Sequence, residues 1–526
     1  MKSFVQKILP VAMIVIIATV FFTGCKKFLN TQRQGAYTAD NYPYPGGSGP
    51  YDQFLFAAYN DLRSYSVHVD GFVNATSIRS DDANKGSTPA DGGSDVAQME
   101  NFPVTPSNGR CNALWTGYYG LINKCNSAII NIDTLKNIVA SDEIKVQSKA
   151  EMRFLRGYAY FMMVRLFANV PIIDTIYSNV VTQPIVPQST AAEVYQFIEE
   201  ELNYAAQNLP VSWEAKFVGR LTKGAANGML AKVYLTQKKW AQAAAAAELV
   251  MNSGKYDLLV DYSKIFSEEG ENTKESVFEV QATASPSIPT ANGIQYASLQ
   301  GVRGEGIWNN GWGWNEPSNV LEAAYEQGDP RKARTILYSS TMKIDSLNGK
   351  PVDTTYTYNT SIYGEVMPFY PSKVPNLKYN QKVLGNPQLR NSITRGCYWM
   401  NVRILRYADV VLMYAEAQNE LGNTAEALPA LNSVRARARR GAAAGILPDV
   451  TTTDQVALRN AIRQERRIEL AMEHDRFFDI VRWGIAQQAM HAAGKTNFLD
   501  SRDVLLPIPQ TQIDLSKGVL RQNPGY

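Results

Sequence analysis

The sequence predicts a mostly α-helical protein in which tetratricopeptide-like hairpins form a scaffold and a long irregular insertion is mounted on it. Three observations lead there. Apolar residues recur at three- and four-residue spacings over most of the chain, with few strand-like alternations. Two segments far apart in the chain share the offsets of a single helical-hairpin repeat. Between them, residues from about 255 to 400 are rich in Gly, Pro, Asn, Ser and Tyr and hold four of the eight tryptophans.

The chain opens on an export signal over residues 1–24. Lys2 and Lys7 supply its basic start, and VAMIVIIATVFF (11–22) is an apolar run too short for a permanent span. The next residues, TGC, complete the pattern of a bacterial lipoprotein signal cleaved before Cys25. Acylation of Cys25 then anchors the remainder to a membrane, and stable attachment takes more than one acyl chain. Cleavage leaves 50 basic against 49 acidic residues. That balance gives no electrostatic footprint for nucleic acid. No later run is long and apolar enough to span a bilayer. The other cysteines, Cys111, Cys125 and Cys397, are odd in number. Cys111 and Cys125 would lie roughly 20 Å apart on one helix, so no disulfide framework is expected.

The helices follow in order. ALWTGYYGLINKCNSAIINI (113–132) and KAEMRFLRGYAYFMMVRLFANVP (149–171) carry helical periodicity, the second stopping at Pro171. A third, in residues 189–210, starts at Thr190 with Glu193 at capping-box spacing. LAKVYLTQKKWAQAAAAAELV (230–250) and YAEAQNELGNTAEALPALNSV (414–434) align on Ala231 and Ala415, which brings Ala243 onto Ala427. Small residues at these offsets let two antiparallel helices approach closely, the spacing of a tetratricopeptide repeat.

Within the insertion, GIWNNGWGWNEP (306–317) places Trp308, Trp312 and Trp314 on a Gly- and Asn-rich loop. Indole faces stack on the C–H faces of sugar rings, while hydroxyls need polar partners at the rim. The three tryptophans supply the faces, and Asn309, Asn310, Asn315 and Glu316 the rim. A rigid helical scaffold carrying such a loop is how binding surfaces are commonly mounted.

Other motifs read as structural. In EHDRFFD (473–479) the acids do not converge on one helix face, and His474 has no second histidine beside it. Charge pairing of these acids with Arg466, Arg467 and Arg476 is expected. RARARR (435–440) places cations in the last turn of a helix ending near Gly441. GVRGEG (301–306) lacks the Gly-Lys-Ser/Thr of a phosphate loop. No short motif marks a carboxylate pair or a nucleophile elbow. The expectation is a protein that is not an enzyme and needs no cofactor or metal; no acidic loop has EF-hand spacing.

The C-terminal third carries a resemblance. LRYADVVLMYAEAQNELG (405–422), ALPALNSVRARA (427–438), LRNAIRQERRIELAMEHDRFFDIVRWG (458–484), LLPIPQTQI (505–513) and the closing QNPGY resemble the RagB/SusD family of Bacteroidetes outer-membrane lipoproteins. NEPSNVLEAAYEQGDPRKARTI (315–336), WTGYYGLINKCNSAI (115–129) and CKKFLNTQ after the signal are similar to the family as well. The resemblance implies a SusD-like fold, with four tetratricopeptide-like hairpins on one side and an irregular, loop-rich ligand face on the other. It divides the chain into an N-terminal region (25–254), the ligand-side insertion (255–400) and a C-terminal region (401–526), with 255–526 as one family domain. It also implies the function: capture of oligosaccharides and their delivery to a SusC-like TonB-dependent transporter at the outer membrane. Alternatives are an oligopeptide binder of the same family and a scaffold for protein assembly. Tyr65, His68, Asp81 and Asp82 fall in the region that resembles the family's other ligand-side loops. Lys26 and Lys27 depart from the pattern, taking places where acidic residues commonly assist export to the surface.

Overall fold

The computed structural model describes residues 49–176, 184–283, 292–344, 351–354, 359–390 and 398–526. The expected export signal (1–24), Cys25 and Cys397 lie outside the described residues. Nine helices carry the scaffold among those described: α1 (Asp52–Asp61), α2 (Gly109–Thr134), α3 (Asp142–Phe167), α4 (Ala191–Asn208), α5 (Lys223–Thr236), α6 (Trp240–Met251), α7 (Tyr407–Glu420), α8 (Thr424–Ala438) and α9 (Gln455–Glu469). Local chemistry sets where several of them start. The Thr190 side chain accepts from the Glu193 N–H, and the Glu193 carboxylate takes the Thr190 N–H at 2.7 Å, completing the expected capping box of α4. Ser141, Thr222 and Asp454 cap α3, α5 and α9 in the simpler way, each accepting one backbone N–H of the first turn. Such a cap contributes about 1 kcal/mol.

Each helix packs on the next, from α2 through α3, α4 and α5 to α6. The series does not stop there. α6 packs directly on α7, and α7 on α8 and α9, although the whole insertion separates α6 from α7 in the chain. The two hairpins recognised by their shared offsets are therefore neighbours in space. Ala231, Ala243, Ala247, Ala415 and Ala427 are all completely buried at these contacts, as close helix approach requires. The absence of a side chain serves the same end at Gly228, where a Cβ would meet Leu405 Cδ2 at 2.7 Å.

The insertion leaves and rejoins the scaffold through short strands. Those that position it are β1 (Ala83–Gly86), β2 (Ser276–Val280), β3 (Trp314–Pro317), β4 (Ile336–Tyr338), β5 (Lys378–Asn380) and β6 (Val402–Arg406). β2 pairs antiparallel with β6, so the two ends of the insertion are clamped together. β4 pairs with β5, and β1 pairs with β3 in a register that sets Gly86 opposite Trp314. These pairings were not foreseen from periodicity, since each strand has only three to five residues. Residues 51–134 and 141–526 form one compact unit.

The C-terminal motifs pack as a buried ionic layer. Arg406 reaches Glu275 at 2.7 Å, Glu469 at 3.0 Å and Glu473 at 2.6 Å, while Arg437 reaches Glu469 at 2.5 Å. Burial alone would raise the Glu469 carboxyl, but Arg437, Arg406 and Arg331 around it bring it down to about 2. The arginines of RARARR thus act as more than helix-end cations: Arg435 holds Glu326 and Glu465, and Arg439 holds Asp449. Pairing in EHDRFFD also differs from expectation. Arg466 takes Asp479 as expected, but Glu473 is held by Arg406 and Lys382, and Asp475 by Lys232. Arg467 and Arg476 are spent elsewhere, as shown below. Cys111 and Cys125 are free and buried, and burial pushes the Cys111 thiol up to about 12.

Candidate functional site

Three turns meet beside the β1–β3 ribbon: residues 86–92, 303–313 and 370–376. Asn376 is the joint between them. Its Oδ1 accepts from the Ser87 N–H at 2.6 Å, and its Nδ2 donates to the Gly313 carbonyl at 2.6 Å. Arg303 pairs with Asp91 and donates to Ser87 Oγ at 3.0 Å, tying the first turn to the second. Lys373 reaches Glu305 at 2.9 Å and ties the second to the third. Gly86 is obligatory here, with φ +71° and a Cβ position only 2.5 Å from the Gly313 carbonyl oxygen.

The three indoles of the loop do not form one platform. Trp308, on a single 3₁₀ turn (Gly306–Trp308), is buried with Val302, Leu337, Met367, Val374 and Tyr379. The Arg390 guanidinium lies 5.2 Å from the centre of its ring. Trp314 is buried on β3 across from Gly86. Trp312 alone of the three faces water, at 47% exposure. Two residues apart on an extended strand, Trp312 and Trp314 would share a face. Gly313 prevents that: its left-handed φ of +73° turns the chain over between them. Asn315, at φ +63°, is locked in place by Ser77 Oγ at 2.7 Å and Gln300 Oε1 at 2.7 Å.

The rim expected around the rings divides in the same way. Asn309 and Ile307, three and five residues before Trp312, are exposed. Asn310 is turned inward to bond Val302 N–H and the Ile307 carbonyl. Burial raises the Glu316 carboxyl, which accepts the Lys378 N–H at 3.2 Å.

Of the four residues expected from ligand-side loops, three are interior. His68 is completely buried, with Nδ1 at 2.7 Å from the Leu62 carbonyl and Nε2 at 2.6 Å from Tyr158 OH. Burial lowers it to about 4, so the ring is neutral. Asp81 and Asp82 are buried against the arginines that the EHDRFFD reading assigned elsewhere: Arg476 to Asp81 at 2.8 Å, Arg467 to Asp82 at 2.5 Å. Their carboxylates are therefore structural ion-pair partners and do not face solvent. Tyr65 is 48% exposed, beside Asp70 and Arg110, and is not among the residues that the three turns gather.

With this geometry in hand, comparison with known proteins is decisive. Residues 274–526 match the SusD family, and residues 66–235 match the family described as starch-binding associating with outer membrane. SusD-like protein P2 of Formosa agariphila is 30% identical over 449 residues, covering 82% of this chain and 83% of that protein. The chain belongs to the SusD family. Among solved structures, a laminarin-binding SusD-like protein is 27% identical, with a TM-score of 0.71 over 90% of this chain and 99% of that one. A SusD homologue from Bacteroides thetaiotaomicron shares the fold at 23% identity, with a TM-score of 0.74 over 91% of this chain and 97% of that one. The mostly α, SusD-like fold follows from these likenesses and from the helices themselves.

For a SusD-family chain, the turn residues are the part that sequence reasoning missed. Ser87, Asp91, Arg303, Lys373 and Asn376 come from three segments remote in the chain. Their only sequence signal is the Gly, Ser, Pro and Asn content of NKGSTPADGG and PSKVPN. GVRGEG, weighed only as a phosphate loop, supplies the arginine that ties the first two turns. Chemically the site offers one exposed indole and a polar rim whose nearby charges are paired with each other. Among the described residues no helix is long and apolar enough to cross a membrane.

Proposed function

We propose that this protein is a non-enzymatic, lipid-anchored binding protein of the outer membrane that captures oligosaccharides at the Trp312 face and hands them to a SusC-like TonB-dependent transporter. The observation that carries the reading is Trp312, an indole held half-exposed by a left-handed glycine between two buried tryptophans. A half-exposed indole presents a broad apolar face that a ligand can cover. A sugar ring does so through its C–H face, and Asn309 beside it is placed to serve the hydroxyls. The charges nearby are matched, Arg303 with Asp91 and Lys373 with Glu305, which suits a neutral ligand. The likeness to a laminarin-binding relative supports glycan as the class. Attachment is proposed through acylated Cys25. Release must follow capture, so binding of modest strength fits the role.

The test is calorimetric titration of the mature chain against soluble glycans, including laminarin and starch oligosaccharides, and against an oligopeptide panel, each repeated with Trp312→Ala. Glycan binding weakened about tenfold or more by Trp312→Ala, in a variant that melts like the wild type, is the expected result. Binding of peptides alone, or of glycans equally well without Trp312, overturns the reading.

A further inference from the structure

A concave site lies apart from the residues of the Trp312 face. A cleft of about 260 Å³ opens between the 211–222 segment and β2, lined among others by Trp213, Phe217, Thr222, Tyr256, Asn272 and Gln281. None of its lining residues belongs to the three turns described above.

Its aromatic wall is built and fixed. The Arg220 guanidinium lies 4.2 Å from the centre of the Trp213 ring and is itself held by Glu151, at 3.0 Å through Nε, and by Asp52 at 3.3 Å. The Trp213 N–H donates to the Leu221 carbonyl at 2.7 Å. Its polar edge is thus satisfied within the protein, and ring carbon is what it offers the cleft. The polar wall is built as well. Asn272 and Gln281 bond each other through both amides, at 3.0 and 2.9 Å, and Thr222 Oγ1 lies 3.0 Å from Tyr256 OH.

Glu279 also lines the cleft and is 4% exposed. Its Oε1 is paired with Arg403, whose Nε stands 3.6 Å away and has no other acceptor. Arg220 has no charge to spare for an anion, because two carboxylates already occupy it. Aromatic carbon beside amides and hydroxyls matches a neutral ring bearing hydroxyls of its own. The size sets the length of the ligand: drug-sized ligands occupy about 300 Å³ or more, so this cleft takes one sugar ring or a chain end.

We infer that the cleft is a second carbohydrate subsite, for a single neutral sugar unit. The class of ligand rests on the function proposed above, and the position does not.

Saturation-transfer NMR on the mature chain tests it, with methyl glucoside, methyl galactoside, methyl mannoside and laminarihexaose as probes. The expected result is a monosaccharide signal that persists in Trp312→Ala and falls about tenfold in an Asn272→Ala, Gln281→Ala double variant. Trp213→Leu, which removes the aromatic wall, is the second variant and should weaken the same signal, with cooperative melting checked for both. Laminarihexaose binding lost in Trp312→Ala, with no monosaccharide signal remaining there, overturns the cleft and leaves the Trp312 face standing. Binding unchanged in Trp312→Ala but lost in the cleft variants overturns the Trp312 face and upholds the cleft. Monosaccharide signals untouched by either cleft variant overturn the cleft.

Discussion

The Asn376 amide donates to the Gly313 carbonyl at 2.6 Å, and that bond holds the one residue whose backbone turns Trp312 outward and Trp314 inward. The two tryptophans are alike in sequence context and opposite in role, so substitutions separate them. Trp312→Ala should leave stability within about 0.5 kcal/mol of wild type, as exposed substitutions usually do. Trp308→Ala and Trp314→Ala should each cost about 3–5 kcal/mol through the cavity left behind. Urea unfolding of the three variants decides; equal losses at all three positions contradict the assignment.

Asn376→Ala and Gly86→Ala act on the same joint from its two sides. At Gly86 an added Cβ meets backbone at 2.5 Å in a left-handed conformation, which leaves nowhere for it to go. The left-handed backbone alone costs roughly 1–2 kcal/mol with a side chain present. Both variants should weaken glycan binding while Trp312 itself is intact. Hydrogen exchange should show faster opening of residues 303–313 than of α7; unchanged protection there would sink the idea.

Asp81 and Asp82 test a structural role against a ligand role. Removing one partner of a buried ion pair costs about 3–5 kcal/mol, because the remaining charge is stranded. Asp81→Ala leaves Arg476 only Asp82, at 3.6 Å, and should lower the unfolding free energy by up to that amount. Its ligand affinity, measured well below the midpoint, should match wild type. A stable variant with lost affinity would return Asp81 to the ligand.

Acid should destabilise the protein in two stages. Burial lowers His68 to about 4 and His474 to about 3, below the 6.5 of a free histidine. Between these values the unfolded chain binds protons that the folded chain does not, so stability falls as pH drops through 6.5 towards 4. Each histidine contributes on the order of 3 kcal/mol to that loss. Glu469, held near 2, adds a second loss below its ordinary value of 4.5. Urea midpoints that do not fall between pH 7 and pH 4 would refute the first stage.

Glu271 works in the opposite direction. Burial raises it to about 7 against the pull of Arg403 and the Asn401 N–H. The folded chain takes up this proton first, so its contribution is full below pH 4.5 and is lost as pH rises through 7. Glu271→Gln mimics the protonated form permanently. It should therefore be more stable than wild type at pH 8 and equal to it near pH 4.5. A variant less stable than wild type at pH 8 would show that the carboxylate is needed there as an anion.

The sequence by itself determined the helical scaffold, the capping box of α4 and the fold class. Thr190 with Glu193 and the alanines at shared offsets act through neighbours three, four or twelve residues away, and such spacings are written in the chain. It also marked the Gly- and Asn-rich loop that carries three of the tryptophans. Tertiary structure decided which of them point outward, because a left-handed Gly313 reverses the face between two tryptophans that strand periodicity would align. It decided the partners of Asp81 and Asp82, which are arginines nearly four hundred residues away. It decided that α6 meets α7 across the insertion, and that Asn376 joins turns begun at Ser87 and Arg303. Charge pairing and loop closure depend on distance in space, and a single sequence records distance only along the chain.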